Sequence, residues 1–164
     1  QVAVTGEPQV RVVEHFWWSG TPHTSLYPRL VDTLKNVWRC RRVVVDATGV
    51  GAGVASFLAR ALGKSVVRPF VFTQQSKSRL GSNLLAAVNS GRAKMYAADG
   101  SEEYREFWLQ MERAKSHYRP SQTMSFHVPP EEGHDDFLIS LALLVEAAGY
   151  RPRSARGAPS NGVC

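Results

Sequence analysis

Three aspartates are the residues whose types and spacing could do chemistry in this chain. Asp46 closes the run Val43-Val44-Val45, and Asp135 and Asp136 stand side by side after His134, in front of an almost wholly apolar stretch that runs to Gly149. Adjacent carboxylates repel, so a site that keeps both ionised usually supplies a compensating positive charge, often a metal ion. Two readings are open for each. An aspartate ending a buried strand is costly unless hydrogen-bonded or metal-bound, and Asp46 serves either turn chemistry or function. An aspartate opening a helix is either a cap or a ligand. Taken together, three carboxylates suit oxygen coordination of Mg²⁺ or Mn²⁺ rather than zinc. The positive end of a helix also favours anions at 135–136.

Two glycine-bearing stretches imitate nucleotide sites and fail on spacing. In "ATGVGAGVA" a dinucleotide fingerprint would need a third glycine where Val54 stands. In "GKS" at 63–65 the glycine that a phosphate-binding loop requires five residues earlier is Leu58, and the lysine precedes a strand rather than a helix. The glycines after Asp46 instead let the chain turn sharply and bring backbone close to whatever Asp46 holds.

The elements that must position these residues alternate. Residues 1–18 read as a β-hairpin turning at Gly6-Glu7-Pro8, and 25–38 as an amphipathic helix with Leu30, Val31, Leu34 and Val37 on one side. Val43–Val45 read as a strand buried on both faces. Residues 54–63 form a helix closed by Gly63, and 65–72 a strand. A helix starting at Ser76 or Ser78 stops at Gly91. A short strand at 93–98 precedes a helix over 99–118, whose Asp99 and Glu102 have capping-box spacing. A strand at 123–128 then leads through Pro129-Pro130 to the aspartate pair. The pattern predicts an α/β fold with a mixed sheet. The domain covers 1–149. The remainder, 150–164, rich in Arg, Pro, Gly and Ser, reads as a disordered basic tail.

The chain has 164 residues, 43% hydrophobic, with a formal charge of +6. That size supports one sizeable core, and the positive balance favours an anionic partner such as nucleic acid. Cys40 and Cys164 are too few and too far apart for a zinc framework or disulfide scaffold, which suits a reducing cytoplasm. No signal peptide or membrane-spanning run is present. The chain begins at Gln1 inside an alternating pattern, as a piece of something longer would.

"VVVDATGVGAG", "FTQQSKSRLGSNLLAAVNSGRAKMY" and "GHDDFLISLALLVEA", in this order, resemble the C-terminal nuclease domain of the large terminase subunits of tailed bacteriophages. The resemblance runs through most of residues 1–149. It implies a ribonuclease H-like mixed sheet flanked by helices, a metal-dependent endonuclease that cuts concatemeric viral DNA, and two Mg²⁺ or Mn²⁺ ions held by carboxylates. It implies double-stranded DNA as substrate, portal and small terminase subunit as partners through the full-length protein, no membrane, and the bacterial host cytoplasm as location.

Carried over by the resemblance, Asp46 is the second acidic position and the Asp135–Asp136 pair the third, with either of the two as the direct ligand. The family's first acidic residue lies on a first strand, and the chain is expected to begin after it. Neither Glu7, in the turn, nor Glu14, on the second hairpin strand, replaces it convincingly. Lys77 either meets a phosphate oxygen or is a solvated lysine. His134 orients water, binds the scissile phosphate, or does nothing. Arg79, Arg92 and Lys94 are candidates for the DNA backbone. Trp17, Trp18, Phe107 and Trp108 read as core. Two alternatives stand beside the nuclease: a non-catalytic DNA-binding or packaging-assembly module, and another ribonuclease H-like enzyme such as a resolvase or transposase core.

Overall fold

The computed structural model describes residues 10–149, so the Gly6–Pro8 turn and the basic tail lie outside the described residues. In chain order the elements are β1 (Val10–Arg11), α1 (His23–Asp32) running into a π-helical turn (Thr33–Val37), β2 (Val43–Asp46), α2 (Gly51–Leu62), β3 (Val67–Phe70), α3 (Gln74–Asn89), β4 (Ala93–Lys94), α4 (Glu102–Arg113), β5 (Lys115–Tyr118), β6 (Met124–His127) and α5 (Asp136–Gly149). Among the described residues the strands pair as β1–β4 and β2–β3, both parallel, and β5–β6, antiparallel. The class is therefore α/β with mixed pairing. No helix among the described residues is long and apolar enough to cross a membrane.

Apolar patterning explains where the core sits. Helix α5 is apolar around most of its circumference and buries Phe137, Leu138, Leu141, Ala142, Leu143 and Val145, as a helix enclosed on several sides must. It packs against α3, α4, β1 and β2. Leu80, Ala87 and Ala142 are fully buried and Phe107 nearly so, and removing such a large side chain from water stabilises by about 1.5–3 kcal/mol. Gly81 lets α3 close on β6: a Cβ there would stand 2.1 Å from the Met124 methyl and 2.6 Å from the Phe126 ring.

Several local expectations are corrected. Helix α3 starts neither at Ser76 nor at Ser78. Thr73 is the cap, in a reciprocal capping box with Ser76, because Thr73 is the extended residue directly before the helix. Ser101, not Asp99, caps α4. The Asp99 carboxylate instead accepts from the Ser101 backbone and hydroxyl, which holds its pKa below the usual carboxylate value. The helix expected over 99–118 stops at Arg113, and Lys115–Tyr118 becomes a strand. A turn in which Gln122 takes a positive φ of 59° folds 115–118 back onto β6, and tertiary pairing outweighs helix propensity there. Val43–Val45 are half-buried rather than enclosed on both faces. Of the expected core aromatics, Phe107 is buried, Trp18 half-buried, and Trp17 and Trp108 exposed by 46% and 40%.

Candidate functional site

Asp46 ends β2, opposite Phe70 of β3. Its Oδ1 accepts from the Thr48 backbone amide at 2.8 Å, a turn-forming contact typical of aspartate. Thr48 in turn accepts from the Phe72 amide at 3.0 Å, tying the loop after β2 to the chain after β3. Gly49 has φ +56°, and a Cβ on Gly51 would meet the Asp46 carbonyl oxygen at 2.2 Å. The glycines thus do what the sequence requires of them: α2 starts hard against the end of β2.

The aspartate pair opens α5. Its first amides are capped from another helix. The Gln110 side-chain oxygen, on α4 and 3% exposed, accepts from Phe137 at 2.8 Å and from Leu138 at 3.3 Å, while its amide nitrogen donates to Glu106. Gln110 performs the task expected of an N-cap aspartate. Among the described residues, the carboxylates of Asp135, half-buried, and Asp136, exposed, make no hydrogen bond or ion pair.

Arg42, just before β2, donates to the Ala147 carbonyl near the end of α5, and Arg68 of β3 lies 3.8 Å from Glu146. Asp46 stands where β2 ends and the Asp135–Asp136 pair where α5 begins. Lys77 lies in the first turn of α3, half-buried with its Nζ 5.4 Å from the Phe126 ring centre. His134 is exposed in the loop before α5.

The donor chemistry of these aspartates suits a hard divalent cation, but their placement leaves them apart. Among the described residues no group of three or more His, Cys, Asp or Glu stands ready to hold a metal. What the structure brings together is a different set. Glu14 and Asp136 line one cavity of about 320 Å³ with His15, Phe16, Trp17, Gln110, Phe137 and Ser140. Reading 1–18 as a hairpin put Glu14 in mid-strand, whereas the regular strand ends at Arg11. A Glu-His pair leading an aromatic run was the available signal. His15 bonds the Tyr96 hydroxyl at 3.0 Å and stacks on Phe107 at 4.8 Å. Burial pushes its pKa below the usual imidazole value, with Glu103 and Asp99 partly offsetting.

The basic candidates divide. Arg79 lies 3.8 Å from Glu146, an acid that Arg68 also approaches, so it belongs to the α3–α5 seam. Arg92 donates to Ser90 in the turn before β4, and Lys94 is exposed on β4. A larger cavity of about 370 Å³, lined by Met95, Met111, Met124, Phe107, Trp108 and Phe126 among others, is apolar and apart from the carboxylates. In comparison with known proteins, no family model, no curated protein and no solved structure matches the chain.

Proposed function

We propose that this chain is a metal-dependent DNA endonuclease domain of the terminase type, with a ribonuclease H-like fold, in which Asp46, Asp135 and Asp136 carry phosphodiester hydrolysis. The observation that supports it is that the two carboxylates opening α5 are left unpartnered, with the capping of α5 taken over by Gln110, while a third carboxylate closes β2. Aspartates needed only as caps would be making those bonds. Mg²⁺ or Mn²⁺ bound to such carboxylates supplies a water of lowered pKa and stabilises the leaving oxygen. Glu14, which lines one cavity with Asp136, is a further acidic group for the site. Lys77 and His134 are the candidate cation and imidazole for a phosphate oxygen. Double-stranded viral DNA is the substrate, and portal and small terminase subunit are the partners, in the bacterial cytoplasm.

Metal binding tests the reading without depending on turnover. A ligand that binds only the folded state raises the melting temperature, so Mn²⁺ is expected to stabilise the chain and Asp46→Asn to abolish that shift. The same substitution is expected to remove Mn²⁺-dependent nicking of plasmid DNA. An Mn²⁺ shift unchanged in Asp46→Asn would remove Asp46 from the site. A second reading, a DNA-binding module that does not cut, is favoured by the separation of the three aspartates. Salt-sensitive DNA binding with no metal response in any carboxylate variant would select it.

A further inference from the structure

The edge where β2 and β3 begin, opposite Asp46, carries an unbalanced positive surface. Between Asp32 and Asp46 the sequence has no acidic residue but has Lys35, Arg39, Arg41 and Arg42, and none occurs between Asp46 and Asp99. The π-helical turn ends with Trp38 donating to Thr33 and Cys40 donating to Leu34, which forces Arg39 into the left-handed region at φ 48°. Trp38 is 43% exposed, and Lys35, Arg39 and Arg41 are exposed. Lys64, also exposed, sits in the turn before β3, and the adjoining Val66 carbonyl accepts from the Val43 amide, which puts both strand starts at one edge. Among the described residues Arg39, Arg41 and Lys64 pair with no carboxylate. Arg42 joins the end of α5 to this same edge.

We propose that this basic edge is a second nucleic-acid docking surface, separate from the carboxylate edge, that holds unpaired nucleotides by phosphate contacts from Arg39, Arg41 and Lys64 and by base stacking on Trp38. Cations alone would attract any polyanion. A tryptophan exposed among them selects a partner with both phosphates and free π-faces, since stacking adds affinity that tolerates any base. The surface stands whether or not the carboxylate edge cuts DNA, because none of its residues belongs to that edge.

The test is fluorescence anisotropy of a labelled oligo-dT with the full chain in EDTA, which silences any metal-dependent cleavage. Neutralising three phosphate contacts with Arg39→Ala, Arg41→Ala and Lys64→Ala together is expected to lower the slope of log K against log salt by about 2, at roughly 0.7 per contact for single strands. Trp38→Ala is expected to weaken binding about tenfold, in line with the loss of one base stack, with the salt slope unchanged. These side chains are exposed, so each variant is expected to fold, which circular dichroism checks. The proposal fails if the triple variant binds oligo-dT with the original affinity and slope. It also fails if Trp38→Ala binds undiminished, or if a poly-glutamate peptide binds more tightly than oligo-dT, the result an acidic protein partner would produce.

Discussion

The two edges of the β2–β3 pair are built on opposite plans. Where the strands end, short side chains are held by hydrogen bonds: Asp46 to Thr48, Thr48 to Phe72, and Thr73 with Ser76. Where the strands begin, Lys35, Arg39, Arg41 and Lys64 stand in solvent, while Arg42 and Arg68 reach the end of α5 at Ala147 and Glu146. The two proposals ask different things of these edges. Chemistry at a phosphate requires groups fixed within a fraction of an ångström, because a small displacement costs about 100-fold in rate. Counterion release requires only that positive charge reach the backbone. The proposed hydrolysis would place the first demand on the edge with tight loops, and the proposed docking surface the second on the edge with exposed cations.

Substitutions at each edge sharpen the contrast. The largest effect is expected from Asp136→Asn, which should lower Mn²⁺-dependent plasmid nicking about 100-fold or more while oligo-dT affinity in EDTA changes less than about twofold. Equal losses in both assays would mean that the two edges are one site.

Next comes Gly51→Ala. The added methyl meets a backbone carbonyl that cannot step aside, so the variant is expected to lose about 2–3 kcal/mol in urea unfolding. It should disturb the Asp46 loop and leave the salt slope of DNA binding alone. A variant as stable as the parent would show that the β2–α2 junction is looser than its geometry.

Gln110→Ala strands the Phe137 and Leu138 amides and is expected to cost about 1–2 kcal/mol, a melting-temperature drop of about 2–8 °C. Because the capped helix carries Asp135 and Asp136, the Mn²⁺ shift should shrink as well. Gln110→Met, which keeps the packing but removes the acceptor, is expected to lose a similar amount; a Gln110→Met variant as stable as the parent would count against capping as the role of Gln110.

The smallest effect concerns His15. Its folded pKa lies below the ordinary value near 6.5, so the unfolded chain binds the proton first as pH falls. Its contribution to stability is complete above about pH 6.5 and is lost as pH drops from there toward the folded pKa. Melting temperatures at pH 7.5 and 5.5 should therefore differ less in His15→Phe, which keeps a ring against Phe107, than in the parent. Equal differences would remove His15 as a source of acid sensitivity.

Much of this architecture is legible in the residues alone. An apolar run of Val43–Val45 ending in Asp46, a helix closed by Gly63, and an apolar helix opening at an aspartate pair follow from local periodicity and punctuation, and the structure contains each. The need for glycine after Asp46 is equally local, since it depends on backbone a few residues apart. What sequence did not disclose depends on contacts distant along the chain. That Lys115–Tyr118 is a strand depends on β6, and Lys-Ser-His-Tyr alone gives no reason to leave the helix. That the aspartates of α5 are relieved of capping depends on Gln110, which reads as an ordinary polar position of α4 until the two helices pack. Glu14 becomes a neighbour of Asp136 only because β1 is two residues long and the chain beyond it crosses the start of α5. The positive stretches without acid were written in the sequence, but only the parallel pairing of β2 with β3 decided that Lys64 shares an edge with Arg39 and Arg41. Local patterns encode what each segment is, because their energies come from neighbouring residues, whereas which segments meet is decided by burial of apolar faces that no short window contains.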